Sequence, residues 1–459
     1  MEELKNNYSP VTTKETVPKI SKFYLSAADC TCGILNSLMT AGALTYFFTT
    51  YWGLDKHYSS LAWIIFGIWN AVNDPLFGYI SDKTKSKIGR RLPYIRYGSL
   101  FYSLFFIITW FKWPIGSGQI SMFIQLLAAL FLFDTLYTAI ATSLYVLPYT
   151  MAVSNKARSN IFIWKICFSI ISLAFPLVVV PLIQPKPGEP ATKFRVIVSC
   201  IGILAFIIIF SSTFFIKEKV TTPPDDSMNI FKSIAYCFKN KSFIVFEVLS
   251  FSVIFIQTNL LQGVNYYFTE FGNNLMPVAY GALGIGAVLG LLTWMNRLKP
   301  WGVRKCILIM CILFASGATA MVFFGKIFPV AVAGFFLAGL GFAGGMYLVP
   351  IMNGDVIDYD EHKFGQRREG MYAGVNSFIT KPAISLSNAA FVEIISLFGY
   401  NSASVGAQSE TAKQGILVAW MAIPALLLII TAVSLKWYPL HGEKWNSIKS
   451  EIEIKHNHT

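Results

Sequence analysis

Charge is scarce in this sequence. Only 13% of its 459 residues are Asp, Glu, Lys or Arg, and 54% are hydrophobic, with a mean hydropathy of +0.55. A soluble chain carries roughly 25% charged residues, so a water-facing exterior is excluded for most of this one. Histidine is scarcer still. His57, His362, His441, His456 and His458 all fall in predicted loops or the tail, which argues against a proton relay built on intramembrane histidine. None of the seven cysteines falls in a predicted outside loop. They read as small apolar fillers rather than disulfides, and Cys30-Thr-Cys32 has neither metal-ligand spacing nor a nearby His. A phosphate-binding Gly-Lys-Ser/Thr loop, a His-rich metal motif and a nucleophile elbow are all missing. These absences argue against an ATP-driven pump and leave an enzyme reading without support. No cofactor or metal is expected.

Long apolar runs are abundant instead. A helix needs about 20 apolar residues to cross the ~30 Å hydrocarbon layer. Twelve runs qualify: 27–51, 57–81, 94–113, 119–147, 160–184, 194–216, 242–268, 275–297, 303–325, 328–352, 371–398 and 414–438. The expected fold class is an all-α membrane protein of twelve transmembrane helices. The polar start, with Lys5, Lys14, Lys19 and Lys22, reads as an uncleaved cytoplasmic segment. An even number of spans then puts both termini on one side. Of the 37 Lys and Arg, 27 fall on that predicted inner side, 7 on the other, and Arg96, Lys165 and Lys381 lie within spans. The net charge of +13 is therefore a topology signal. It is not a nucleic-acid footprint. A multi-pass protein of the plasma membrane with both termini cytoplasmic is expected.

The longest inner connection, 217–241, follows the sixth span. The chain thus divides into a segment 1–22, a six-helix bundle 23–216, a linker 217–241, a second six-helix bundle 242–438 and a tail 439–459. Within the linker, Ile230, Phe231, Ile234 and Phe238 recur at helical spacing and predict a short helix over 228–238 on the membrane surface. Two six-span halves fit an alternating-access plan, with substrate near the midplane between them.

One stretch carries the chemistry. In "IWNAVNDPLFGYISDKTKSKIGRR", residues 68–91, Asn70, Asp74, Gly78 and Asp82 recur every four residues, so a helix places them on one face. Pro75 frees a backbone carbonyl. An ionisable group inside the bilayer costs several kcal/mol unless it is paired or hydrated. Asp74 is therefore expected at a helix interface, either handling a cation or proton or closing a structural ion pair. Lys381, about ten residues into the eleventh span, lies too deep for easy snorkelling and is a matching partner. Hydroxyl-directed hydrogen bonding would suit Asn36, Gln257, Asn259, Asn265, Asn376 and Ser377. Tyr145, Trp164, Tyr266 and Tyr267 are candidate stacking residues or ordinary packing aromatics.

These motifs resemble a known group. "NDPLFGY" in the second span is similar to the signature of the glycoside–pentoside–hexuronide:cation symporters, the melibiose-carrier group of the major facilitator superfamily. "DVIDYDEHKFGQRREGMYAGVNSFITK", 355–381, resembles that group's second signature. "YYFTEF", 266–271, and "YLSAADCTCG", 24–33, resemble its seventh-span end and its first-span start, the latter with Asp29. The likeness runs along nearly the whole chain. It implies the major facilitator fold, a sugar substrate, a coupling cation and function as a monomer. It also implies an inner gate formed by Gly78, Asp82, Arg90 and Arg91 with Asp358, Arg367 and Glu369. The basic burst also reads as a plain topological anchor.

The departures shape the expectation. Sodium-coupled members carry two aspartates one turn apart on the second span, and here Asn70 stands for the first. Thr142 stands where galactoside carriers have Asp, and Ala139 where a sodium-holding Thr is expected. Charge is lost from the cation cage, which favours proton coupling over sodium, because a proton needs only Asp74. The resemblance makes Lys165 a sugar contact, with snorkelling as the alternative. Asp134 has no counterpart in the group and reads as a second proton site or a partner for Lys165. A lysolipid or amphiphile carrier, an uncoupled facilitator and a non-transporting sensor or scaffold are the alternative functions.

Overall fold

The computed structural model describes residues 15–40, 43–116, 118–183, 185, 189–218, 230–272, 276–365, 367–401 and 406–457. Among these residues there is no strand. Most of the segment 1–22, residues 219–229 of the linker and the last two residues of the tail lie outside them.

The first rod combines α1 (Lys19–Thr40) with the short α2 (Ala43–Tyr46) and a π-turn (Phe47–Tyr51). It is followed by α3 (Lys56–Lys83), α4 (Leu92–Thr109), α5 (Gln119–Met151), α6 (Asn155–Ile183) and α7 (Thr192–Phe215). The second set opens with a short α8 (Ile230–Lys239), the surface helix expected in the linker, here ending one residue later. Then come α9 (Lys241–Phe271), α10 (Met276–Phe324), α11 (Phe328–Phe364), α12 (Glu369–Leu397), α13 (Glu410–Ser434) and a tail helix α14 (Gly442–Asn457). Seven of these helices are long and apolar enough to cross a membrane by length and composition alone.

The expected eighth and ninth spans form one continuous helix, α10. Their basic connection is a kink rather than a loop: Pro300 lies inside the helix, and Gly302 adopts φ 71°, a left-handed value. With α10 counted as two rods, the twelve expected rods are present. In one half, α1 packs on α6 and α7, α4 on α5 and α7, and α3 on α5. In the other, α10 packs on α11 and α13, and α9 on α12 and α13. Buried apolar side chains gather into two corresponding cores. The halves meet along α3–α12, α5–α12 and α6–α11.

The geometry of α3 shows why these residues make this interface. Asp55 caps its start by accepting from the His57 backbone N–H at 2.7 Å. Ile64, Ile68, Val72, Leu76 and Ile80 then form an exposed apolar stripe, one residue every four. Such a stripe suits lipid. The opposite face carries Asn70, Asp74, Gly78 and Asp82 toward α12. A Cβ on Gly78 would lie 2.2 Å from the Gly370 carbonyl oxygen, and one on Gly374 would lie 2.7 Å from the Asp74 carbonyl oxygen. Only glycine permits this backbone approach. At the same end, α11 stops at Gly365 in the left-handed region (φ 68°), whose N–H bonds the Glu361 carbonyl at 2.8 Å. That turn delivers residues 367–369 to the crossing.

Candidate functional site

Two polar layers lie along the contact between the halves. The deeper one centres on Lys381 of α12. Its Nζ lies 2.8 Å from Asp74 Oδ2 and donates to the Asn70 carbonyl oxygen at 3.0 Å and to Asn70 Oδ1. The structure thus brings together the three residues expected to handle the coupling ion. Thr138 Oγ1 completes the set by donating to Asp74 Oδ1 at 3.0 Å. The hydroxyl sought at position 139 is therefore supplied from position 138, whose side chain points along α5 toward Asp74. Beside this set, Asn73 Nδ2 donates to Asp134 Oδ2 at 3.1 Å, and both residues are buried.

Lys165 takes a different partner from the Asp134 considered above. It pairs with Asp29 at 3.2 Å and donates to the Leu144 carbonyl oxygen at 3.3 Å. This Asp29–Lys165 pair is half-exposed and bridges α1 and α6 within one half. Tyr145 Oη accepts from Asn353 Nδ2 at 3.0 Å, across the halves. Thr142, Asn36, Gln257 and Ser377 are half-buried. Asn376 is half-buried too, and its Oδ1 is buried without a partner among the described residues.

Asn259 does not face the interface. It is 1% exposed and donates to the Ala419 and Trp420 carbonyls at 3.2 and 2.6 Å, tying α9 to α13. Its Nδ2 is engaged by these backbone oxygens, and its Oδ1 is buried without a hydrogen-bond partner among the described residues. Tyr267 likewise donates to the Gly325 carbonyl from a buried position, and Tyr266 packs on Phe391 and Tyr400. The side chain of Asn265 lies outside the described residues.

The second layer is a charge zipper at the end of the bundle where the tail helix α14 packs. Asp82 accepts from the Gly370 and Met371 backbone N–H groups at 2.9 and 2.7 Å, which caps α12, and it pairs with Arg91. Glu369 receives Arg90 at 3.1 Å, Arg91 at 3.6 Å and Arg367 at 2.5 Å. Arg367 also reaches Asp358 at 3.1 Å, Glu361 at 2.6 Å and, across the halves, the Tyr149 carbonyl oxygen at 2.7 Å. All seven residues expected at the gate fall in this layer. Just outside it, burial pushes the Glu218 carboxyl up, opposed by the Arg91 N–H it accepts from at 3.0 Å and by the Arg91 charge.

Sequence reasoning missed several members. Arg158 makes a bidentate bond to Asp358, at 2.6 and 2.8 Å, and is fully buried. In sequence it is one of the 27 Lys and Arg on the predicted inner side, and nothing local marks it as inward-facing. Lys449, on the tail helix, reaches Asp355 at 3.0 Å and also Asp358. Glu247 was overlooked inside the seventh span. It is 6% exposed, and neither carboxyl oxygen has a hydrogen-bond partner among the described residues. A lone acid in an apolar run was the available signal.

Comparison with known proteins agrees with this geometry. The family model described as "MFS/sugar transport protein" matches residues 25–442. The chain is 24% identical to the uncharacterized symporter YnaJ of Bacillus subtilis (strain 168), covering 96% of each. It is 23% identical to the isoprimeverose transporter of Lactiplantibacillus pentosus, over 97% of this chain and 94% of that one. In fold it is similar to the E. coli major facilitator transporter FucP in the outward conformation, with a TM-score of 0.62 and 11% identity over 90% of this chain and 97% of that one. A helical bundle of two six-rod halves, sealed at one end by ion pairs and matched along nearly its whole length, belongs to the MFS/sugar transport protein family, a family of multi-pass membrane transporters rather than enzymes.

Proposed function

We propose that the protein is a symporter of glycoside-type sugars, coupled to protons and working by alternating access. The observation that carries this reading is the cross-half set of Asp74, Lys381 and Asn70. The Lys381 ammonium sits among the Asp74 carboxylate, the Asn70 amide oxygen and the Asn70 carbonyl, where a coupling cation would find its ligands. The chain therefore holds a resident cation there. A proton on Asp74 cancels the charge that holds Lys381 and loosens one half from the other. Sodium would have to displace the ammonium from its pair with Asp74, the carboxylate that Lys381 contacts directly. The related isoprimeverose transporter supports a glycoside as substrate. Both termini are placed in the cytoplasm of a plasma-membrane protein, on the strength of the basic loops, and the protein is taken to act as a monomer.

The test is uptake by sealed proteoliposomes under an imposed proton gradient, an imposed sodium gradient or neither. A panel of glycosides is offered, with a lysolipid as the contrasting substrate. Uphill glycoside uptake with protons alone is expected. Asp74→Asn should abolish accumulation and leave sugar exchange. Sodium-driven accumulation would overturn proton coupling, downhill flux alone would make the protein a facilitator, and lysolipid movement without sugar movement would overturn the substrate class.

A further inference from the structure

The kink of α10 opens onto two joined clefts. One, of about 790 Å3, lies between the start of α6, the kink, α11 and the tail helix, and its lining includes Lys156, Lys299 and Arg304. The other, of about 480 Å3, shares Trp301, Arg304, His441 and Gly442 with it and adds Lys305 and Lys436. Among the described residues no acidic side chain lines this second cleft, and its remaining wall is apolar: Leu308, Ala432 and Leu435.

We infer that the second cleft is a binding site for the phosphate of an anionic membrane lipid. Its chemistry is a set of phosphate-binding cations beside an apolar wall, which matches a headgroup with its first acyl carbons and not a free anion alone. Arg304 is pre-aimed. Its Nε donates to the Leu435 carbonyl at 2.8 Å and one terminal nitrogen bonds the His441 ring at 2.8 Å. Partial burial and the Arg304 charge lower the His441 imidazole from its ordinary value, and because a guanidinium only donates, the ring nitrogen is the acceptor in this bond. Lys305 and Arg297 lie 5.4 and 5.1 Å from the centre of the Trp301 ring. Trp437, 67% exposed and next to Lys436, marks the level of the lipid headgroups. Gly302 has nothing within 4 Å of a built Cβ, so the position demands glycine for its left-handed backbone and not for space. That backbone makes the bend that opens the clefts.

The site has a route to the gate. Gly442, in the cleft wall, begins the helix whose Lys449 reaches Asp355 and Asp358. A phosphate held at Arg304, Lys305 and Lys436 steadies that helix and the closed gate with it.

The experiment measures lipid retention on the purified full-length protein by native mass spectrometry, after exchange into defined mixtures of phosphatidylglycerol and phosphatidylcholine. Wild type is expected to retain phosphatidylglycerol. Lys305→Gln with Lys436→Gln, both exposed, should lower its affinity about twenty-five-fold, at about a factor of five per lysine. Those variants leave the internal bonds of Arg304 in place, so folding is preserved. Lys239→Gln with Lys363→Gln, exposed cations of the same end and equal charge, should leave retention unchanged. Equal loss in both pairs would reduce the effect to general surface charge and overturn the site, as would equal retention of phosphatidylcholine. Displacement of the lipid by inorganic phosphate at millimolar concentration would overturn the lipid assignment in favour of a soluble anion.

Discussion

Gly78→Ala should open the gate end of the transporter without unfolding it. The added methyl carbon would sit 2.2 Å from the Gly370 carbonyl oxygen and 2.9 Å from its carbonyl carbon, where ordinary contact begins at 3.4 Å. The obstacle is backbone, so no rotamer change relieves it. The α3 and α12 backbones must part by about 1 Å, and overpacking of this kind costs about 1–3 kcal/mol. That penalty applies only while the halves are closed at this end, because α3 and α12 belong to different halves. It therefore shifts the balance toward the open state by about 5- to 150-fold. Hydrogen–deuterium exchange reads this directly. Peptides spanning 78–91 and 367–375 should exchange faster in the variant, whereas peptides from α4 and α13 should not. Gly67→Ala is the control: nothing lies within 4 Å of its built Cβ. Uniformly faster exchange would mean the contact supports stability rather than gating, and unchanged exchange in a folded variant would refute the reasoning.

Other expected outcomes follow from single contacts. Asp358→Asn leaves Arg158, Arg367 and Lys449 without the carboxylate they share, so it should destabilise by about 3–5 kcal/mol in thermal unfolding. Arg158→Gln should cost less, because Asp358 keeps two cations; the reverse order would refute the assignment of Asp358 as the hub. Lys381→Ala strands the buried Asp74, and adding Asp74→Asn should restore part of the lost stability. A double-mutant cycle should give a coupling of about 1–3 kcal/mol, and additive losses would show that the 2.8 Å pair contributes nothing. Glu247→Met replaces a carboxyl that lacks a hydrogen-bond partner among the described residues in a buried site, so the melting temperature should stay or rise; a fall would mean that the carboxyl has a structural partner.

The rods were legible because crossing a membrane demands long apolar runs, and few other folds do. Charged exceptions inside those runs stand out for the same reason, so Asp74, Lys381, Asp134 and Lys165 were visible as residues needing partners. Which partner each takes was less legible. Asp29 for Lys165 and Asn73 for Asp134 depend on how helices pack, and several groups compete for each. Thr138 was missed by one position because a register set by resemblance tolerates a slip that side-chain direction does not. Arg158 and Lys449 were invisible for another reason. At a helix end, an inward cation and a headgroup cation look alike in sequence, and only tertiary contact separates them. The α10 kink was hidden because Pro300 and Gly302 ordinarily signal a loop.

The zipper's composition bears on why such an end can open at all. An apolar seal would gain about 25 cal/mol for each Å2 removed from water, and parting it would return all of that to the barrier. A buried ion pair behaves differently. Its desolvation penalty nearly cancels its attraction, so the closed pair is worth little more than the two hydrated charges. Arg90, Arg91, Arg158 and Arg367 with Asp82, Asp358 and Glu369 thus hold a firm register when shut, because each guanidinium has a fixed fork geometry. When the end opens, water takes over the same groups and much of the cost is recovered. The glycine crossing of α3 and α12 adds close contact with little apolar area to expose. Closed and open states then differ by little free energy, so under the proposed mechanism a change of charge at the Asp74–Lys381 pair is enough to decide between them.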